Sequence, residues 1–449
     1  MTARVSQKKI VFVGGGSNGW IPNIVKDMFL TESLARSEFV LFDINRKASD
    51  LNKVFLDKLA SRLGVDAKIV STDNRARALD GADYIIITIS TGGLDAMAHD
   101  LAIPEQYGIY HTVGDTTGPG GWARLIRNFD VFVSLAEAFN RYAPRAVVLN
   151  YTNPMSTLTD VLARLCKAPV IGLCHGLFEN LAFIKRFYKV KSEDDIAVKY
   201  AGLNHFFWIT EARAGKRDVI ADLRRRLKKQ SLTDLLSIAY EDPHGHRSNR
   251  ELATELFRLT SVMPYLGDRH TCECFASYIT NRKNMRKYRI VRTSVAERRK
   301  GFRARTARLK RMIRGKIDES FSTRSRETAA DIIDAHSEGK TFIDVGNLPN
   351  TGQITNLTGG LVVETAVRVD RTGFTPIHFG DLPEIVQGMI EPYTHVFGMG
   401  VDACFARDRK LALQALRLDP VCAHLNTDEV NEMGGRLLKA HKRFIKCLK

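Results

Sequence analysis

The sequence predicts an α/β protein: an N-terminal doubly wound parallel sheet of the Rossmann type, followed by a C-terminal α+β half. Over the first 190 residues, short apolar runs alternate with helical segments of about a dozen residues or more, which is typical of parallel strands joined by crossover helices. The first apolar run ends in a glycine-rich turn. Beyond residue 190 this pattern stops, so we expect two domains, 1–190 and 191–449.

The strands of the first half are expected in chain order. KIVFV leads into the turn GGGSNG, and a helix is expected from about Trp20 through IPNIVKDMFL. Further strands are predicted in EFVLFDIN, AKIVST, ADYIIITIS, AVVLNYTNP and PVIGLC, the last of which ends at Cys174. Ligands of such sheets bind beyond the carboxyl ends of the strands, so the residues that follow these runs are candidates for a functional site.

The second half mixes strands with helices. VKYAGLNHFFWITEARAG alternates as antiparallel strands do, and charged helical patterns follow it to about residue 338. NLPNTGQITNLTGGLVVE lies between strand-like flanks, and the last 65 residues are expected to be helical. We expect this half to supply the substrate and metal residues and the contacts of a homodimer or homotetramer.

Composition argues against several classes of protein. No signal-peptide pattern begins the chain, and no uncharged apolar run reaches the roughly 18 residues of a membrane-spanning helix. We therefore expect a cytoplasmic protein with no membrane partner. The seven cysteines are odd in number and sparsely spaced, which argues against a disulfide framework. Cys272 and Cys274 are too close together for a usual zinc knuckle and are expected to be structural.

The net charge of +17 arises largely in one segment. Sixteen lysines and arginines lie between Arg282 and Lys316, which nearly equals the whole excess. Only Tyr288 and Phe302 are aromatic there, whereas a nucleic-acid-binding surface would interleave its charge with stacking aromatics. We expect helices with one buried face and one solvated basic face, with no nucleic-acid partner.

The glycine-rich turn predicts a dinucleotide site. Gly14, Gly16 and Gly19 satisfy G-x-G-x-x-G between a predicted strand and a predicted helix, and Asn18 belongs to the same turn. Such glycines let the backbone approach a pyrophosphate, which the helix N-terminus attracts. Asp43 ends the next strand, where an acid accepts hydrogen bonds from ribose hydroxyls. This favours NAD, although the sequence Asn-Arg-Lys soon after Asp43 leaves NADP open.

Four further stretches extend this pattern: GDTTGPGG (114–121), NYTNPM (150–155), GLCHG (172–176) and GLNHFFW (202–208). Together with the glycine turn and the late segment 347–364, they make the chain resemble glycoside hydrolase family 4 along nearly its whole length. The resemblance implies the lactate/malate dehydrogenase fold, with NAD and a divalent metal, manganese first, as cofactors.

The metal ligands that the resemblance implies are Cys174 and His205. A thiolate and an imidazole are unusual ligands for manganese, which prefers oxygen donors, so sugar hydroxyls and water are expected to complete the shell. On the residues alone, Cys174 and His175 could instead form a nucleophilic pair, or the thiol could be structural. The pair is disfavoured because neighbouring residues of an extended strand point to opposite faces.

The resemblance assigns other residues to the sugar and to proton transfer. Asn153 would contact sugar hydroxyls. Asp268 lies where metal-assisted alpha-glycosidases of the family place a carboxylate base, while Tyr265 keeps open the tyrosine base of the phosphoglycosidases. The acid that protonates the leaving group could be His175 or Asp115.

The substrate follows from the residue after the metal cysteine. Phosphoglycosidases of the family carry Asp or Asn there, so His175 points away from 6-phosphosugars. The chain looks most like the branch that cleaves unphosphorylated alpha-glycosides, and within it like alpha-galacturonidases and alpha-glucuronidases. A uronate carboxylate needs a cationic partner, and we expect Arg269 and His270 to supply it.

The resemblance also implies the reaction. NAD oxidises carbon 3 of the sugar, the metal assists loss of the carbon 2 proton and of the glycosidic oxygen, and water adds before the hydride returns. The alternative on the same fold is an NAD-dependent 2-hydroxyacid dehydrogenase with net formation of NADH. That enzyme would need a histidine acid/base with a substrate arginine, and it would leave Cys174 without a role.

Overall fold

A computed structural model of the chain describes residues 7–236, 240–241 and 247–448. Strands and helices alternate through the first half, as the sequence predicts. In chain order they are β1 (Lys9–Val13), α1 (Ile21–Phe29), β2 (Glu38–Phe42), α2 (Arg46–Leu63), β3 (Lys68–Thr72), α3 (Arg75–Leu79), β4 (Tyr84–Ile87), α4 (Gly93–Glu105), α5 (Gly118–Tyr142), β5 (Val147–Asn150), α6 (Met155–Leu165), β6 (Val170–Gly172) and α7 (Gly176–Tyr188).

The second half begins with antiparallel strands and continues with helices. Its elements are β7 (Ile196–Leu203), β8 (Phe206–Ala214), β9 (Arg217–Asp218), α8 (Val219–Arg226), α9 (Leu232–Leu236), β10 (Tyr240–Glu241), β11 (Arg247–Ser248), α10 (Glu251–Thr260), β12 (Met263–Pro264), α11 (Asp268–Thr271), α12 (Ala276–Ile279), α13 (Arg282–Lys287), α14 (Val295–Arg314), α15 (Ala329–Glu338), β13 (Phe342–Pro349), β14 (Val362–Asp370), β15 (Gly373–Pro376), α16 (Glu384–Ala406), α17 (Arg409–Leu418) and α18 (Thr427–Ala440).

One large sheet runs through both halves. Its parallel part has the order β3-β2-β1-β4-β5-β6, so the chain reverses direction across the sheet between β1 and β4. Strands β13, β14, β7, β8 and β12 extend it antiparallel beyond β6, where Gly172 pairs with Asn347. Ligands of such sheets bind at the switch point, beyond the carboxyl ends of β1 and β4.

Helices cover both faces of the parallel strands because their residues are apolar on both sides. In β1, Val11 and Val13 pack in the core beneath α5, whereas Ile10 and Phe12 pack on the opposite face with residues of α1 and α2. The helix limits follow local chemistry. Asn45 caps the N-terminus of α2, where its side chain accepts the Ala48 N–H, and Gly64 caps the C-terminus in the left-handed conformation.

The predicted fold class is therefore confirmed. The domain boundary near residue 190 stays a prediction, and the sheet that joins Gly172 to Asn347 is continuous across it. All seven cysteines are free, with Cys272 and Cys274 buried. Among the described residues, no helix is both long and apolar enough to cross a membrane.

Candidate active site

The glycine turn forms a tight connection between β1 and α1. The backbone N–H groups of Gly14 and Gly15 both donate to the carbonyl of Phe42, at 2.9 Å. A methyl group at Gly14, which has φ +99°, would lie 2.7 Å from the Thr88 carbonyl oxygen, and one at Gly16 would lie 2.7 Å from Cβ of Ala48. These positions therefore require glycine, as a turn that cradles a pyrophosphate does.

Asp43 lies beside this turn, at the end of β2. Its Oδ2 accepts the Gly16 N–H at 2.8 Å, and its Oδ1 accepts the Asn45 N–H at 2.7 Å. The side chain is only half-buried, so further lone pairs remain for ribose hydroxyls. The turn, its Asn18 and Asp43 thus come together as predicted, and a dinucleotide fits the cradle they form.

Cys174 and His205 lie together in the second part of the site. The Cys174 sulfur is 3.1 Å from Nε2 of His205, and Oγ1 of Thr116 is 3.2 Å from Nδ1 of the same ring. Cys174 follows β6, while His205 is in the tight turn between β7 and β8 with φ +61°. The structure thus joins the two predicted ligands, which are 31 residues apart in the chain.

Both members of this pair are uncharged in the absence of a cation. Burial, with the charge of Glu364, raises the pKa of the Cys174 thiol far above its usual range. Burial lowers the pKa of His205 to about 4, against the attraction of Asp115 and Glu273 for its proton. A neutral imidazole is a ready ligand, but a thiolate at this position needs a bound cation to stabilise it.

Two protein ligands leave a metal site open on its other sides. Among the described residues, no group of three His, Cys, Asp or Glu side chains could hold a metal ion. Catalytic metal sites keep positions for water or substrate, so the donor pair fits an ion whose shell the sugar completes. The sulfur and nitrogen donors themselves suit zinc at least as well as manganese.

Asp115 supplies a negative charge beside this pair. Burial opposes its ionisation, but the permanent charges of Arg124 and Arg298 hold the pKa of Asp115 far below its usual range. Thr116 donates from Oγ1 to its Oδ1 at 3.0 Å. Asp115 is therefore ionised at neutral pH, and it cannot serve there as a proton donor.

The rings of His270 and Tyr265 complete the wall around His205. The His270 ring centroid is 3.9 Å from that of His205, and the Tyr265 ring is stacked at 5.7 Å. Burial, with His205 close by, lowers the pKa of His270 well below its usual value. Both predicted residues thus lie at the candidate metal pair, with His270 as a neutral ring.

His175 faces a different neighbourhood from Cys174. Its Nδ1 is 3.6 Å from Oε1 of Glu327, and its ring lies 5.8 Å from that of Trp20. Burial raises the pKa of Glu327 to about 7. Because the Cys174 sulfur contacts His205 instead, the adjacent thiol and imidazole do not form a nucleophilic pair.

Asp268 lies against a helix end. Its oxygens accept the backbone N–H groups of Leu252 and Ala253, at 2.9 and 3.0 Å, in the first turn of α10. Burial raises the pKa of Asp268 to about 7. No hydrogen bond or ion pair among the described residues joins it to Cys174 or His205. Tyr265 is thus the candidate base that contacts the metal pair in this conformation.

Asn153 and Arg269, the other predicted sugar ligands, make separate sets of contacts. The carbonyl of Asn153 accepts from Nε of Arg124 at 2.8 Å, beyond β5. Arg269 is buried and donates from Nη2 to Oγ1 of Thr293. Burial is the main cause that lowers the pKa of Arg298, and the charge of Asp115 opposes it. The charge of Arg269 lowers this pKa further, so the two guanidinium groups are neighbours.

Glu364 is a site residue that the sequence interpretation missed. This fully buried carboxyl group of β14 accepts amide hydrogens from Asn204 and Asn347, each at 3.0 Å, and its charge raises the pKa of Cys174. Burial raises its pKa to about 7. The sequence signal was an acid inside the apolar run LVVETAV. Burial of a carboxylate in such a strand costs free energy unless the group is neutral or paired.

Glu273 is a second such residue. Its Oε1 accepts the backbone N–H groups of Thr112, Val113 and Gly114, at 2.7 to 2.9 Å, and lies 3.1 Å from Nδ1 of His111. The carboxylate thereby holds the loop that carries Asp115. The short Cys-Glu-Cys sequence contributes its acid to the site and its thiols to the core.

Comparison with known proteins matches nearly the whole chain. Residues 9–189 match the model described as family 4 glycosyl hydrolase, and residues 200–422 match the model described as family 4 glycosyl hydrolase C-terminal domain. An alpha-galacturonidase of Thermoanaerobacter italicus is 29% identical, over 99% of this chain and 98% of that protein. An alpha-galactosidase of Bacillus subtilis is 30% identical over 97% and 98%, and an alpha-galacturonidase of the same organism is 32% identical over 93% and 94%.

Solved structures share the fold. The lplD protein of Bacillus subtilis superposes with a TM-score of 0.87 and 29% identity, over 96% of this chain and all of that one. A 6-phospho-beta-glucosidase of Thermotoga maritima, with manganese, NAD+ and glucose-6-phosphate, has a TM-score of 0.81 and 22% identity over 98% and 100%. Malate dehydrogenase of Plasmodium falciparum has a TM-score of 0.52 and 13% identity over 89% and 99%.

Proposed function

Because the chain belongs to glycoside hydrolase family 4, we propose that it cleaves unphosphorylated alpha-glycosides, in particular alpha-galacturonides or alpha-glucuronides. The observation that carries the proposal is the pair of Cys174 and His205, 3.1 Å apart, in a sheet whose glycine turn is shaped for a dinucleotide. A dehydrogenase of the same fold has no use for such a pair. Relatives named alpha-galacturonidase, aligned over nearly the whole chain, support the choice of substrate.

We propose NAD and a divalent metal, manganese first, as cofactors. The glycine turn would hold the pyrophosphate, Asp43 the ribose, and Cys174 with His205 the metal. When bound, NAD supplies a hydride acceptor that later returns the hydride, and the metal supplies a Lewis acid for the sugar oxygens. The 6-phospho-beta-glucosidase of Thermotoga maritima, solved with both cofactors, supports this assignment.

Proton transfer would be divided between two groups. The base takes the proton from carbon 2 of the oxidised sugar, and a pKa of about 7 suits Asp268 to that task. Tyr265 is the alternative, because its ring stacks on His205. The leaving oxygen would receive its proton from His175, which has Glu327 as its partner, since Asp115 is ionised.

Arginine side chains support a substrate that carries a carboxylate. Arg269 and His270 were the predicted partners, and the structure adds Arg298, whose charge acts on Asp115. Nε of Arg298 is buried and has no hydrogen-bond partner among the described residues. A guanidinium edge of this kind binds a carboxylate through charge-assisted hydrogen bonds. Asn153 would contact the sugar hydroxyls.

The proposal is tested by a substrate panel. Nitrophenyl alpha-galacturonide, alpha-glucuronide, alpha-galactoside and a 6-phosphoglucoside are each incubated with enzyme, NAD+, Mn²⁺ and a thiol reductant. We expect release of nitrophenol from a uronide, dependence on all three additions, and no accumulation of NADH. If only the neutral galactoside were hydrolysed, the proposed uronide substrate would be wrong, and the chain would share the substrate of its alpha-galactosidase relatives.

The dehydrogenase alternative gives the opposite result. A 2-hydroxyacid dehydrogenase would produce NADH in proportion to product from malate or lactate, without added metal, and would release no nitrophenol. That outcome, or hydrolysis that is unaffected by removal of NAD+, would overturn the proposed function.

A further inference from the structure

The basic helix α14 lies across the N-terminal half. Leu309 and Met312 pack into the core beside α2, and Nζ of Lys58 donates to the last carbonyls of the helix, including that of Ile313 at 2.9 Å. At the other end, Arg299 forms an ion pair with Asp95 of α4 at 2.6 Å. Several basic residues of the segment are therefore fixed against the half of the chain that carries the glycine turn.

Two residues of α14 reach the glycine turn itself. Oγ1 of Thr306 accepts from Nδ2 of Asn18 at 2.9 Å. A methyl group added at Gly19 would lie 3.8 Å from Nε of Arg305, and it would meet no other described atom within 4 Å outside its chain neighbours. Gly19 is thus open except on the side where this guanidinium lies.

Arg305 also lies against a second glycine, in its own helix. A methyl group at Gly301, one helical turn earlier, would lie 3.4 Å from Nη1 of Arg305. Glycine in a helix interior is unfavourable, but here it leaves room for the guanidinium over its own helix. Arg305 forms no ion pair and no side-chain hydrogen bond with any described residue, so its charge is not neutralised within the protein.

We propose that Arg305 is a binding residue for the pyrophosphate of the dinucleotide, reaching the glycine turn from the second half of the chain. The inference rests on the proposed function, because it takes NAD as the ligand. The turn offers neutral amides and the potential of α1, whereas a planar guanidinium adds a full charge and two parallel donors. Arg298, two turns earlier on the same face of α14, lies at Asp115. The helix therefore follows the cleft from the cofactor to the sugar.

The test compares two charge-equivalent variants by titration calorimetry. Arg305→Gln removes the proposed contact, and Arg303→Gln removes the same charge from the opposite side of the helix, where the side chain is equally exposed. NAD+ and ADP-ribose both contain the pyrophosphate, whereas adenosine, measured by competition against NAD+, does not. We expect Arg305→Gln to lower the affinity for NAD+ and for ADP-ribose by about tenfold or more, and the affinity for adenosine by less than twofold. The affinities of Arg303→Gln for all three ligands should stay within about twofold of the wild-type values.

The affinity of Arg305→Lys for NAD+ should lie between those of wild type and Arg305→Gln, because lysine keeps the charge and loses the planar pair of donors. Equal weakening of all three ligands, or equal effects of Arg305→Gln and Arg303→Gln, would overturn the inference, as would unchanged binding of NAD+ to Arg305→Gln. In these cases the proposed function stands, since the wild type still binds NAD+. Failure of the wild type to bind NAD+ and ADP-ribose would refute both the inference and the proposed function.

Discussion

The sulfur of Cys174 lies 3.1 Å from Nε2 of His205, although two strands, β13 and β14, separate their parent strands in the sheet. The contact is possible because both residues lie beyond strand ends, where side chains project over the sheet edge. Thr116 fixes the other ring nitrogen of His205 at 3.2 Å. The orientation of the ligand pair therefore depends on three separate segments of the chain.

The proposed ligand role of Cys174 predicts that Cys174→Ser loses metal affinity and activity. A neutral hydroxyl is a far poorer ligand than a thiolate, so affinity for Mn²⁺ should fall on the order of 100-fold, and hydrolysis should fall with it. Equilibrium dialysis and the nitrophenol assay measure the two losses. Affinity for NAD+ should stay close to wild type, because the glycine turn is on another strand.

Cys166→Ser is the matched control for that variant. Cys166 is a partly exposed thiol at the end of α6, eight residues before Cys174, and it makes no hydrogen bond to either ligand among the described residues. Its replacement should leave metal affinity and activity unchanged. If the two serine variants behaved alike, the thiol of Cys174 would be a structural residue.

The identity of the base is decided by a second pair of variants. We expect Asp268→Asn to lower kcat by roughly 10²- to 10⁴-fold, the usual contribution of a general base, and Tyr265→Phe to lower it by less than about tenfold. The reason is the pKa of about 7 at Asp268. In heavy water, wild type should place deuterium on carbon 2 of the released sugar, and Asp268→Asn should slow this exchange.

Asp268 also caps α10, so its variant needs a stability measurement. Asparagine keeps one acceptor oxygen, so the variant should lose one of the two hydrogen bonds from Leu252 and Ala253, at a cost of about 1 kcal/mol of unfolding free energy. A modest drop in the melting temperature with intact NAD+ binding is therefore expected. A large loss of kcat in Tyr265→Phe, with little change in Asp268→Asn, would transfer the role of base to the tyrosine.

The sequence predicts the fold well because the relevant signals are local. Apolar runs such as Tyr84–Ile87, glycines between a strand and a helix, and an acid at the end of β2 each act within a few residues. The candidate ligands Cys174 and His205 could be proposed only through the resemblance, since nothing near either residue in the chain requires the other.

The positions that the sequence could not predict depend on contacts between distant segments. The N-cap position of α10 is Arg250, which has φ +51° and forms no side-chain hydrogen bond to the first turn of the helix. The free backbone N–H groups of that turn are instead capped by Asp268, 16 residues downstream of Leu252. Glu273 in the same way serves a loop about 160 residues earlier in the chain. Capping rules look only at adjacent residues, so such partners are invisible to them.

The buried acid Glu364 predicts a dependence of stability on pH. Its folded pKa of about 7 exceeds the ordinary value of 4.5, so the folded protein binds a proton that the unfolded chain releases. The stabilisation is complete below about pH 4.5 and is lost as the pH rises through 7. At 1.36 kcal/mol per pKa unit, the loss amounts to roughly 3 kcal/mol.

Glu364→Gln should remove this component, because glutamine keeps a carbonyl acceptor for the two asparagines but cannot ionise. Chemical unfolding of metal-free protein between pH 5 and 8 measures the difference. We expect the stability of wild type to fall more steeply than that of the variant. Glu211→Gln, which removes an exposed carboxylate, is the control, and its stability should depend on pH in the same way as that of wild type. Parallel curves for wild type and Glu364→Gln would show that Glu364 is ionised in the folded protein.

The last prediction concerns how the carboxylate of the proposed uronide substrate is recognised. Arg298 contacts the carbonyl of Val113 through Nη2 at 3.1 Å, and its Nε is buried without a partner among the described residues. A uronate oxygen would satisfy this donor, whereas a neutral hexose presents only a hydroxymethyl group at the same carbon. Arg298→Gln should therefore lower kcat/KM for the alpha-galacturonide by about 10- to 100-fold, as expected for a hydrogen bond to a charged group.

The neutral galactoside separates recognition from general damage to the site. Its kcat/KM in Arg298→Gln should change by less than about threefold, or rise, because the charge that disfavours a neutral sugar has been removed. Arg269→Gln, made in parallel, loses its contact with Thr293 and should affect both substrates if its role is to support the site. Selective loss of the uronide in Arg269→Gln, with none in Arg298→Gln, would identify Arg269 as the carboxylate partner. Equal loss of both sugars in Arg298→Gln would show that Arg298 stabilises Asp115 and does not read the substrate.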